Sequence, residues 1–121
     1  MVENKQYITH RQENGRVMIS EDVVAVIVLQ TVREIEGFAG LSTKPGADIA
    51  ELIGKNWGKG VKISISADNE LTVECNVLLT YGSNVVEVAK QMQSSIASEV
   101  ESVTSVKVTE VNVNVCGIVR K

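Results

Sequence analysis

The chain has 121 residues, 44% of them hydrophobic and 22% charged, enough for one globular core and unlike the composition of a disordered or fibrous protein. Its formal net charge is -3 and only 3% of its residues are aromatic, so it lacks the positive field and the stacking platforms on which non-specific nucleic-acid binding depends. The apolar run Val23 to Leu29 is far shorter than the ~20 residues that cross a bilayer, so no segment is expected to insert into a membrane.

Met1 to Asn14 mixes Glu, Lys, Arg and His without sustained periodicity or an apolar signal-peptide region. It reads as a flexible N-terminal tail, with residues 15–121 forming a single domain. Arg16 to Ile19, after Gly15, predicts a short edge strand. Ser20 is a good N-cap, and Glu21 and Asp22 suit the positive end of a helix dipole, so a helix is expected from about Glu21 to Glu36. Propensity alone would make Val23 to Val28 a strand; the cap and the length of the periodic segment decide for a helix. At ~100° per residue, Val24, Ile27, Val28, Thr31 and Ile35 share its core stripe, and Val26 and Leu29 point outward. Single exposed apolar residues are ordinary on soluble proteins. The alternative is an interaction surface made of Ala25, Val26, Leu29 and Arg33. Gly37 is a plausible residue to follow the helix, and Phe38 to Leu41 returns to an extended form.

Ser42 to Gly60 carries the only proline, Pro45, and several glycines, with one short helical candidate at Ala47 to Ile53. The stretch Gly54 to Gly60 is similar to a phosphate-cradling loop but lacks the Gly-Lys-Ser/Thr ending, and ordinary loop chemistry accounts for it. Lys55, Trp57, Lys59 and Lys62 nevertheless form the one basic and aromatic cluster of an acidic chain, a basic patch suited to an acidic partner. Val61 to Ser66 and Leu71 to Leu79 alternate with period two around Asp68-Asn69, which predicts a β-hairpin. Gly82-Ser83-Asn84 then caps a helix whose apolar stripe is Val85, Ala89, Met92, Ile96, Val100 and Val103. In the last strand the alternation changes from even positions (Val106, Val108) to odd ones (Val111, Val113, Val115), which a β-bulge near Glu110 would explain.

Few residues suggest catalysis. His10 is the sole histidine, which excludes a two-histidine metal site within one chain and reads as a solvated tail residue. Cys75 and Cys116 lie among valines without Cys-x-x-Cys spacing and read as free core thiols. If Val115 faces inward, Cys116 faces the other way, so a disulfide between the two is not expected. Gly37-Phe38-Ala39-Gly40 has the Gly-x-x-Gly form of a KH loop but no Lys or Arg between the glycines to meet phosphate. No enzymatic activity, metal or cofactor is expected.

The run Gly15 to Ala25, followed by Glu34-Ile35-Glu36-Gly37-Phe38-Ala39-Gly40-Leu41, resembles the opening signature of the alkaline-shock, or envelope stress response, family. Lys59 to Ile63, Val77 to Val88 with its Tyr81-Gly82, and Val111 to Ile118 are similar to that family's later segments in the same order. The short form of the chain looks most like its housekeeping branch. Pattern and resemblance together imply an α+β domain, β-α-(β)-loop-β-β-α-β, with an antiparallel or mixed sheet of three to five strands and two helices on one face. The resemblance implies a non-catalytic cytoplasmic adaptor or scaffold linked to the cell-envelope stress response or homeostasis. It would act through protein partners and self-association, and would meet the membrane only through a membrane-anchoring protein. A small KH-like nucleic-acid-binding domain is the alternative.

Overall fold

In the computed structural model, which describes residues 7–42, 60–68 and 70–120, Ser20 ends one strand and caps the helix that begins at the next residue. Its Oγ accepts from the Asp22 backbone N–H at 3.0 Å, satisfying one of the donors that a helix start leaves open. The helix, α1, runs over Glu21–Arg33 in spite of its valines. It stops three residues short of the expected Glu36: Glu34 is the C-cap, a turn follows, and Gly37 adopts φ +100°. A Cβ at Gly37 would lie 3.0 Å from Ser83 Oγ and 3.1 Å from Val88 Cγ2, so glycine also lets this turn approach the start of the second helix.

The first strands overturn one expectation. Tyr7–Gln12 forms β1, paired antiparallel with β2 (Gly15–Ser20) so that Ile8 faces Ile19. The stretch read as a flexible tail is therefore ordered from Tyr7 onward; Met1 to Gln6 lie outside the described residues. The physical reason is Ile8, fully buried in the core. One inward side chain anchors the hairpin while its polar neighbours hide any alternation from the sequence. His10, read as solvated, is instead half-buried, with Nε2 2.7 Å from the Thr104 carbonyl.

The main sheet is organised by β5 (Leu71–Thr80). Strands β3 (Phe38–Leu41) and β4 (Val61–Ile65) both pair antiparallel with the same edge of β5, end to end. They meet at Asn76, whose carbonyl accepts from Ser42 N at 2.9 Å and whose N–H donates to the Gly60 carbonyl at 2.8 Å. The other edge of β5 holds β6 (Val108–Val119) in parallel, so the four-stranded sheet is mixed. The hairpin of β4 and β5 and the strand Phe38–Leu41 are as the alternation and turn residues predict, and β1 adds a strand beyond the expected layout. The helical candidate Ala47 to Ile53 lies outside the described residues.

Asn84 caps the second helix, α2 (Val85–Thr104), by accepting from Glu87 N at 3.1 Å, and Ser105 ends it in the left-handed conformation. Val88, Met92, Ile96 and Val100 are buried with Val24, Val28 and Val32 of α1 against one face of the sheet, where Val61, Ile63, Leu71, Val73, Cys75, Val77 and Leu79 point. This makes one apolar core under two helices, with Lys62, Glu74, Asn76, Asn112 and Asn114 in the alternate positions. Val85 and Val103, at the ends of the expected α2 stripe, are exposed. The register of β6 slips at two places: Thr109 is the extra residue near the expected site, and Cys116 is a second.

Candidate interaction surface

The surface expected on α1 is divided by the structure. Val26 is 56% exposed and Arg33, two turns later on the same side, is exposed, whereas Ala25 and Leu29 are half-buried and pack against the core. The cause is Val32, fully buried and absent from the expected stripe, which turns the buried arc of the helix toward Leu29. The outward side of α1 thus joins Val26 to Gln30 and Arg33.

Val26 gains an apolar neighbour from the other helix. α1 and α2 flank an open groove of about 390 Å³, with Val26, Gln30 and Glu34 on one wall and Ser95, Glu99 and Val103 on the other. Val103 is 57% exposed, so two exposed apolar side chains, Val26 and Val103, and two carboxylates, those of Glu34 and Glu99, share one depression with the more buried Ile27 and Ile35. Sequence reasoning missed this pairing because Val103 was placed on the buried stripe of α2. Near the helix end that stripe drifts instead to Thr104, whose Oγ1 donates to the Val100 carbonyl at 2.7 Å.

The basic patch is not assembled among the described residues: Lys55, Trp57 and Lys59 lie outside them, and Lys62 is exposed on β4 opposite Glu74. Gly37 to Gly40 enters β3 rather than forming a free loop. Cys75 and Cys116 are both free thiols, but only Cys75 is the core thiol expected of each; Cys116 is the extra residue of a bulge and so leaves the core-facing alternation. Cys75 is buried on the core side of β5, and burial, aided by the Glu74 carboxylate, pushes its thiol up to about 12. Cys116 sits half-exposed at its bulge, with Sγ 3.7 Å from the Asn114 carbonyl.

On the polar side of the sheet, Asn114 Nδ2 donates to Glu74 Oε2 at 3.0 Å and to Asn76 Oδ1 at 2.9 Å. Asn76 is 2% exposed and its Nδ2 has no hydrogen-bond partner among the described residues. No three His, Cys, Asp or Glu side chains among the described residues are grouped so as to hold a metal ion, and no helix there is long and apolar enough to cross a membrane.

The chain is 31% identical to the Bacillus subtilis (strain 168) protein YqhY over 105 residues, which cover 86% of this chain and 77% of that protein. It is 32% identical to a Streptococcus pyogenes serotype M6 protein, Spy1535, over 87% of this chain and 80% of the relative. A second Bacillus subtilis protein, YloU, is 23% identical over 89% of this chain and 92% of its own length. No solved structure matches. The model of the alkaline-shock protein 23 family matches residues 9–120, from within β1 to the end of β6 and beyond. With this match over nearly the full length and relatives 31–32% identical over most of the chain, the chain belongs to that family, which is described as having a cell envelope-related function.

Proposed function

We propose that this chain is a non-catalytic, cytoplasmic adaptor or scaffold that serves the cell-envelope stress response or envelope homeostasis through protein contacts and self-association. The observation that carries this reading is the exposed pair Val26 and Val103 beside Glu34 and Glu99 in the groove between the helices. Apolar side chains held on rigid helices next to carboxylates suit a partner segment that is itself apolar and basic. The envelope-related character of the family supplies the cellular setting. Any membrane association would run through an anchoring protein, and no cofactor would be needed.

The test compares the native chain with Val26→Glu in crosslinking pull-downs from cells, alongside thermal melting of both proteins. The reading expects a defined set of captured proteins that the variant loses at an unchanged melting temperature. Identical sets would remove the groove as the contact. Tight binding of the pure protein to nucleic acid, with a steep salt dependence, would replace the adaptor reading by the KH-like one.

A further inference from the structure

We propose that the edge of β6 opposite β5, which no other described strand covers, pairs antiparallel with β6 of a second copy, joining two domains into one continuous sheet about a two-fold axis at Val113. The proposal names a surface for the self-association in the adaptor reading and rests on that part of it alone.

The first support is the direction of the backbone. The N–H and C=O of Asn76 bond to Gly60 and Ser42, on the β3 and β4 side of β5. Its neighbours Cys75 and Val77 therefore turn their backbone groups toward β6. In a parallel ladder paired residues do not bond to each other, since one reaches across and the other turns away. Val113 and Val115, the partners of Cys75 and Val77, thus direct their N–H and C=O groups outward, and so does Val111 opposite Val73. Two further bonds agree with this phase. The Val111 carbonyl takes a side-chain bond from Gln93 of α2 at 3.0 Å on the exposed side. Beyond the extra residue Cys116, which reverses the phase, the Val119 carbonyl points back to Tyr81 N at 2.8 Å.

The second support is the sequence of that edge. Val111-Asn112-Val113-Asn114-Val115 reads the same in both directions. Antiparallel pairing about Val113 sets Val113 on its own copy, Val111 on Val115 and Asn112 on Asn114, so valines meet valines on the core side and amides meet amides on the other. The outward N–H groups of Val111, Val113 and Val115 and the carbonyls of Val113 and Val115 gain partners, and the Val111 carbonyl, which already accepts from Gln93, gains a second donor on its other lone pair. Glu110 is the one charged residue of β6, and the strand carries none of the lysines or prolines that usually protect an edge. The bulges at Thr109 and Cys116 bracket this regular stretch, which confines pairing to it. An isologous contact of this kind closes as a dimer and does not propagate into fibres. On the adjacent flank, Val86 lies two turns before Gln93 on the same side of α2 and is 60% exposed, which extends the apolar surface beside the edge.

The test is sedimentation of the full chain. The native protein is expected at twice the monomer mass of 13.1 kDa. Val113→Pro removes an outward N–H that the ladder with β5 does not use, so it should weaken self-association by about tenfold or more while circular dichroism stays native. A monomeric native protein, or a folded Val113→Pro dimer, overturns the proposal. The latter result would leave the adaptor reading standing with another contact. A second variant decides if Val113→Pro fails to fold. Asn112→Cys with Asn114→Cys, in a Cys116→Ser background, places thiols on non-hydrogen-bonded partners whose Cα atoms would be about 4.5 Å apart. Mild oxidation should then yield a disulfide-linked dimer, and a product that stays monomeric overturns the pairing.

Discussion

His10 Nε2 donates to the Thr104 carbonyl at 2.7 Å across 94 positions of sequence, tying the first strand to the end of the last helix. A carbonyl only accepts, so Nε2 carries the proton. Thr104 is the last residue of α2, where carbonyls lack intrahelical donors, and the imidazole supplies one. His10→Ala should lower stability by about 1 kcal/mol in urea denaturation. Amide exchange should speed up first in Tyr7–Gln12 and leave Leu71–Thr80 protected. Uniform loss of protection would show that the bond does not act locally.

Leu29 and Val26 separate core from surface on α1. Leu29→Lys forces a cation against the core and should destabilise the domain by about 2 kcal/mol or more. Val26→Glu should stay within about 0.5 kcal/mol of the native protein. Thermal melting of the two single variants checks the phase of the helix. Equal losses would place Val26 in the core as well.

Gly60 has φ +80°, and a Cβ there would stand 2.6 Å from the Ser42 carbonyl. Because the obstructing atom is backbone, and both Ser42 and Gly60 are held by Asn76, neither can withdraw cheaply. Gly60→Ala is expected to cost about 2 kcal/mol or more from combined strain and collision, read as a lower denaturation midpoint with an unchanged slope.

The two thiols should behave differently. Cys116 is half-exposed and should react with a thiol reagent in the native protein, while buried Cys75 should react only at the rate of unfolding. With the folded thiol raised from 9.0 to about 12, the unfolded chain loses its proton first as pH rises. The contribution of Cys75 is therefore intact below pH 9.0 and declines between there and about 12, at up to about 1.4 kcal/mol per pH unit. The difference in stability between the native protein and Cys75→Ala should shrink across that window; a constant difference would sink the assignment.

Much of this fold was legible because its signals are local. Ser20 and Asn84 mark helix starts by their own side chains, the alternation of Val61 to Leu79 needs only two neighbouring strands, and the changed parity around Glu110 shows a bulge directly. What escaped depends on contacts distant in sequence. β1 is held by Ile8 and His10, whose partners lie far along the chain. The slip at Cys116 follows the last valine of the alternating run and leaves little pattern after it. On the candidate surface, Val26 was found because its exposure follows from helical period alone. Leu29 was misplaced because Val32 was left out of the stripe, and Val103 became visible only once α1 and α2 lay side by side.

The parallel pairing of β5 with β6 makes α2 a ruler. The helix has 20 residues and β5 has 10. At about 1.5 Å and about 3.3 Å per residue, respectively, each measures about 30 Å. A chain leaving the end of β5 is thus carried back to its beginning, and β6 starts with Val108 opposite Leu71. Removing one turn of α2 would shorten the return by about 5.4 Å, so β6 would have to join β5 between one and two residues late. A slip of one residue would turn Val111, Val113 and Val115 from the core side to the polar side. The length of the helix that leads back to β6 therefore decides which residues its edge displays.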